Sequence, residues 1–278
     1  SKQLGKFYVD QVKNGLTTII TESCAVNGED ARGYLNGSQF FNDQHAKSWA
    51  PIINQVHKHG GKIFIQLFHS GRLTVKKITN CNPISASALE PSEVPSFWRP
   101  LFDQKIVHFQ TMTKFEKPKK VSLGKIRKII NQFRRSSELA KNVGFDGVEI
   151  HGAHGYLVHS FSTFDANQRK DIYNSKSNLF SSELIEECKS VLGKTLLSYR
   201  ISLHTVDNPY AKYSKDIYNI PSLIKALDKA GVDIFHCSEV KAGENMFGSN
   251  ESLLELVRKN TKKKIITCGG IDTLEKIK

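Results

Sequence analysis

The chain has 278 residues, 39% of them hydrophobic, and its 16 Phe and 8 Tyr supply bulk for a packed core, which excludes an intrinsically disordered protein. No apolar run reaches the ~18 residues a membrane-spanning helix needs. Forty Lys and Arg against 27 Asp and Glu give a net +13, while Cys24, Cys81, Cys188, Cys237 and Cys268 lie far apart with no CxxC pair, as expected of reduced thiols in a cytoplasmic protein.

In chain order, SKQLGKFYVDQVKNG reads as a polar amphipathic helix without an apolar signal core, so nothing there marks secretion. Gly15 then precedes the apolar run LTTIITE. Asn42 and Asp43 open a helix striped by Ala46, Trp49, Ile53 and Val56, and Gly60-Gly61 precede KIFIQLF. The stretch from Phe68 to Val121 is too long for an ordinary loop. It holds Pro83, Pro91, Pro95, Pro100 and the alternating QKIVHFQTM, and is expected to be a lid or substrate-binding excursion with a hairpin strand. Ser122 caps a helix carrying Ile126, Ile129, Ile130 and Phe133, and Gly144 precedes FDGVEIH. Gly193 precedes TLLSYRISL, Pro221 opens a helix, and Gly231 precedes VDIFHCS. Ser249 is expected to start the helix of Leu253, Leu254 and Val257, and Lys262 to Lys264 lead into IITCGG.

Glycines that close helices ahead of runs apolar throughout predict α/β structure, with strands covered on both faces and joined by crossovers into a parallel sheet. Six strands are expected, beginning near residues 17, 62, 145, 195, 232 and 264, in a single domain over 1–278. The pattern suits an open doubly wound sheet or a (β/α)8 barrel. Polar residues gather at the carboxyl ends of the runs: Gln66 and His69, His151 and His154, Arg200, and Gly269-Gly270. Chemistry sits at that end of a barrel.

From Lys114 to Lys141 ten basic residues face two acidic ones, so this segment carries +8 of the +13. No aromatic ladder is interleaved with these charges, which favours a solvated helix face over a nucleic-acid surface. The densest motif is GFDGVEIHGAHGY. Glu149 and His151 point the same way off a strand, and His154 and Tyr156 follow in a glycine-punctuated loop. Two imidazoles and a phenol there make a donor cluster for a developing oxyanion. Read alone, the cluster also admits histidines that merely satisfy the loop, or a metal site with His159 as third ligand. The ligand spacings of known metal motifs are absent, so no metal is expected.

GFDGVEIHGAHGYL, with GGKIFIQLFHSGR, TESCAVNGEDARGY, PISASAL, NQRKDIY, YRIS and IITCGGI in that order, resembles the old yellow enzyme family over nearly the whole chain. The resemblance implies an FMN-dependent NAD(P)H oxidoreductase on a (β/α)8 TIM barrel, reducing the C=C bond of α,β-unsaturated carbonyl compounds. It implies that Gln66 bonds the flavin pyrimidine edge and that Arg200 lies beside flavin N1 and O2. Ser23 would bring its backbone to the ring, and Gly269 and Gly270 would meet the FMN phosphate. His151 and His154 would bind the substrate oxygen and Tyr156 would be the proton donor. The partners are then a small enone and NADPH or NADH, with no nucleic acid or membrane.

The family's first and eighth strands fall outside the sequence, so the expected barrel is incomplete, with six strands of eight, and activity is expected to suffer. His159-Ser160-Phe161 and Tyr173 to Lys176 also depart from the family pattern, and Leu179 stands where an arginine is expected. The alternative is a flavin-free vestigial or binding relative.

Overall fold

A computed structural model describes residues 2–34, 36–92, 115–207, 219–246, 249–273 and 275. Helix α1 (Lys2–Lys13) leads to β1 (Thr18–Ala25), α2 (Asp43–Lys58) and β2 (Lys62–Phe68). A 3-10 turn (Gly71–Leu73), α3 (Lys76–Thr79) and β3 (Ile84–Ser85) follow. After them come β4 (Lys119–Lys120), α4 (Leu123–Val143), β5 (Gly147–His151), α5 (Leu157–Ser162) and α6 (Leu179–Leu192). The chain continues through β6 (Leu196–Ile201), α7 (Ile220–Ala230), β7 (Ile234–Ser238), α8 (Leu253–Asn260) and β8 (Lys264–Cys268).

All six expected strands form. They make one parallel sheet in the order β1-β2-β5-β6-β7-β8, the arrangement of an incomplete barrel. Among the described residues β1 and β8 each pair with a single strand. Every step along the sheet is a crossover, because adjacent parallel strands cannot be joined by a tight turn.

The helices start and stop where side chains satisfy backbone groups. The Asn42 side chain accepts from the His45 N–H and the Ser122 side chain from the Lys125 N–H. Gly144 and Gly231 close α4 and α7 with φ of 104° and 107°, a region that favours glycine. One expectation is corrected: α8 begins at Ser252, three residues beyond Ser249, because Ser252 and Glu255 form a capping box. Ser249 lies in the preceding turn, its hydroxyl accepting from the Glu251 N–H.

The sheet has two chemically different faces. Ile65, Leu67, Val148, Ile150, Leu197 and Tyr199 are fully buried and join the main hydrophobic core. With a period of two, the residues between them (Gln66, Glu149, His151, Ser198 and Arg200) face the other way. Each fully buried aliphatic side chain on the core face contributes about 2 kcal/mol of burial. Helices α4 and α6 pack on each other in the outer layer.

The long stretch after β2 is drawn together at its two ends, where Ile84 pairs with Lys119 and Ser85 with Lys120. QKIVHFQTM, the expected hairpin strand, lies outside the described residues.

Candidate active site

Strand register builds the site. Ser23 is level with Gln66, Gln66 with Glu149, and Glu149 with Ser198; His151 is level with Arg200, Arg200 with His236, and Ser238 with Cys268. Side chains at the same level of a parallel sheet point the same way, so residues from six strands converge on one face.

Glu149 is the hub and is fully buried. The Gln66 Nε2–H donates to its Oε1 at 2.8 Å, the Ser198 hydroxyl donates to Oε2 at 2.9 Å, and His236 Nδ1 bonds Oε2 at 2.9 Å. Burial alone would raise its pKa, but the His236 hydrogen bond and charge, with the Gln66 amide, outweigh it and hold the carboxyl below its ordinary range. Burial would lower His236; the hydrogen bonds to Cys268 and Glu149 instead push it up to about 9. The imidazolium–carboxylate pair therefore persists at neutral pH.

His151 and His154 stand at the end of β5 with ring centroids 5.3 Å apart. Both are held well below the ordinary histidine value by burial first; Arg200 adds to it for His151, and for His154 so does the repulsion two charged rings at 151 and 154 would suffer. They are neutral imidazoles, each with one N–H. His151 Nδ1 accepts from the Ala153 N–H at 3.4 Å, which places its proton on Nε2, and no described residue takes that Nε2–H. His154 sits in the left-handed region, φ 60°, its N–H donating to Ser202 Oγ at 2.9 Å and its Nε2 bonded to Ser238 Oγ at 3.0 Å.

Tyr156 packs edge-on against Phe68 at 4.7 Å and against His151 at 4.9 Å. Burial, with the neighbouring Tyr34 phenol, raises its pKa well above the usual phenol value, so it keeps its proton. Its hydroxyl is 2.6 Å from that of Tyr34, which is 37% exposed. The Tyr34 phenol is itself raised by burial, so the two hydroxyls form a buried pair. The loop is pinned to β2, because the Leu157 N–H donates to the His69 carbonyl at 3.1 Å.

Two further histidines, His69 and His159, are structural. His69 bonds Asp30 at 3.2 Å and accepts from the Gly71 N–H. His159 accepts from the Gly155 N–H at 2.7 Å, and burial lowers its pKa to about 3, so it braces the loop.

The donor set suits the pyrimidine edge of a flavin. Arg200 donates through Nη2 to Ser238 Oγ at 3.0 Å and lies 3.8 Å from Cys268 Sγ, but its buried Nε has no hydrogen-bond partner among the described residues. A buried guanidinium N–H without an acceptor is costly, and the N1/O2 edge of a flavin is an acceptor of the right kind. Ser23 is half-buried at the same level as Gln66. Gly269 has a reason of its own to lack a side chain. Its φ is +129°, and a Cβ would lie 1.9 Å from the Glu239 carbonyl oxygen. Gly270, φ +53°, is exposed beside it.

Sequence reasoning brought His151, His154, Tyr156, Gln66 and Arg200 forward, and the structure gathers them at one sheet end. It passed over Tyr34, Glu149's role as hub, and the contact of His236 with Cys268. Tyr34 stands in a quoted motif, yet its 122-residue separation from Tyr156 hides their hydrogen bond.

Comparison with known proteins gives one family. The model of the NADH:flavin oxidoreductase / NADH oxidase family matches residues 2–278. The chain is 28% identical over 264 residues to 12-oxophytodienoate reductase 2 of Arabidopsis thaliana, covering 91% of this chain and 66% of that one. It is also 28% identical over 258 residues to an NADH oxidase of Thermoanaerobacter brockii, covering 92% of this chain and 36% of the oxidase. It therefore spans about two thirds of the plant protein and about a third of the bacterial one. In fold it is similar to an old yellow enzyme homologue from Zymomonas mobilis, with a TM-score of 0.80 at 22% identity, covering 97% of this chain and 73% of the other.

Proposed function

Because the chain belongs to the NADH:flavin oxidoreductase / NADH oxidase family, we propose that its barrel face reduces the C=C bond of an α,β-unsaturated carbonyl compound, with FMN as cofactor and NAD(P)H as reductant. The observation that carries this reading is one face presenting a polar amide, a guanidinium, a neutral imidazole N–H and a protonated phenol. Gln66, oriented by Glu149, and Arg200 would hold the pyrimidine edge of the flavin. Ser23 and the Gly269-Gly270 turn would meet its ring and phosphate. Bound FMN would supply the hydride.

His151 and His154 take the substrate oxygen. His151 offers Nε2–H, and hydrogen bonds that strengthen as negative charge grows on that oxygen lower the barrier. Tyr156 gives the proton to the α-carbon. Its raised pKa keeps it a phenol until the substrate's own charge draws the proton, and the Tyr34 hydroxyl, 2.6 Å away, is its hydrogen-bond partner. Phe68 and His151, packed on the Tyr156 ring, fix its direction.

The test is Tyr156→Phe in the FMN-loaded protein. NAD(P)H oxidation with an artificial electron acceptor should stay within about twofold, while enone turnover drops ~10²-fold. Equal loss of both would remove Tyr156 from the proton-transfer role.

A further inference from the structure

Cys268 is unlike the other four cysteines, all of which are buried; it is only partly buried, at the end of β8. Its Sγ lies 3.3 Å from His236 Nε2, and His236 Nδ1 lies 2.9 Å from Glu149 Oε2. A thiol beside an imidazolium that a carboxylate keeps charged and oriented is an arrangement that activates nucleophilic cysteines. We propose that Cys268, acting with His236 and Glu149, is a nucleophile that forms a covalent thioether with soft carbon electrophiles of the α,β-unsaturated carbonyl class.

Among the described residues, the groups that face the sulfur come from the strands beside it. From β6, Arg200 Nη2 is 3.8 Å away; from β7, the Ser238 hydroxyl is 3.4 Å away. Glu149 of β5 stands behind His236. Cys237 and Glu239, along β7, are both raised by burial, to about 12 and about 7. Two cationic groups and one hydroxyl thus surround Sγ, and the nearest carboxylate along the strand is half protonated near neutrality. Burial would raise the Cys268 thiol, but its hydrogen bonds with His236 and Ser238 and the nearby cations bring it down to about 7. Glu149 is itself fixed by Gln66 and Ser198, so His236 cannot swing away without leaving a buried carboxylate unpaired.

The step balances without oxidant or reductant. Near neutrality the thiol gives its proton to solvent, and the Sγ thiolate, held by the His236 imidazolium, attacks the β-carbon. The S–C bond forms as the C=C π bond breaks, its electron pair passing to the carbonyl oxygen. The His236 imidazolium then gives its Nε2 proton to the α-carbon and regains one from solvent, so the adduct weighs one whole enone more than the protein. The inference is independent of the reductase reading, because addition needs no hydride.

The experiment uses the full chain without nicotinamide, treated separately with 2-cyclohexen-1-one and iodoacetamide from about pH 6 to about pH 9, and the modified peptide is read by mass spectrometry. Cys268 should be modified first, with the rate half-maximal near pH 7. His236→Asn should slow labelling at pH 7 about tenfold, and Cys268→Ser should abolish the adduct. A rate that rises only above about pH 8.5, a different cysteine reacting first, or His236→Asn reacting as fast as the parent overturns the proposal. Should His236→Asn fail to fold, the pH profile of the parent chain decides alone.

Discussion

His151 and His154 are chemically equal in sequence and unequal in the structure. His154 Nε2 is already bonded to Ser238, whereas the Nε2–H of His151 meets no described acceptor. An incoming oxygen therefore gains a hydrogen bond from His151 outright, and from His154 only in exchange for Ser238. We expect His151→Ala to lower kcat/KM for an enone ~10²-fold, and His154→Ala to lower it about tenfold less. Steady-state kinetics on the FMN-loaded variants checks this, and equal losses would contradict the asymmetry. At this scale the sequence was informative where residues are neighbours along the chain. His151, His154 and Tyr156 fall within six positions and announce themselves. Glu149, His236 and Cys268 are brought together only by the register of β5, β7 and β8, which no local pattern encodes.

The strands were legible because each is a compact apolar run after a helix-closing signal, and all six formed within about two residues of the expected start. The start of α8 was misplaced because Ser249 and Ser252 are equally good capping residues in isolation; the reciprocal bond to Glu255 decides between them. Apart from the alternating QKIVHFQTM, which lies outside the described residues, the long segment after β2 carries no period, so its length and prolines were what could be read. The turn after β8 makes a sharp prediction of its own. Gly269 holds φ at +129°, where a Cβ would collide with the Glu239 carbonyl at 1.9 Å. Gly269→Ala should cost about 2–4 kcal/mol, from strain plus displacement of β7's exit. A denaturant midpoint measures it, and a loss under about 0.5 kcal/mol would mean the turn does not pack as described.

At the scale of the whole molecule, the six-stranded parallel sheet separates its labour: an apolar face glued to helices, and a polar face whose members hold one another in position. The strong positive charge belongs to neither. On α4, Lys125 pairs with Asp30 at 2.6 Å, Lys128 with Glu29 at 2.9 Å and Arg134 with Glu187 at 3.5 Å, so part of the basic helix face is already matched by the protein itself. Among the described residues no helix is long and apolar enough to cross a membrane. The central claim is that Gln66 and Arg200 together present a flavin-binding edge at the open end of this sheet. Titration of the purified chain with FMN, followed by quenching of flavin fluorescence, tests it directly. The account predicts saturable binding that weakens tenfold or more, roughly the worth of one charge-assisted hydrogen bond, in Arg200→Ala and in Gln66→Ala. No binding by the parent chain, or equal binding by all three proteins, would contradict it.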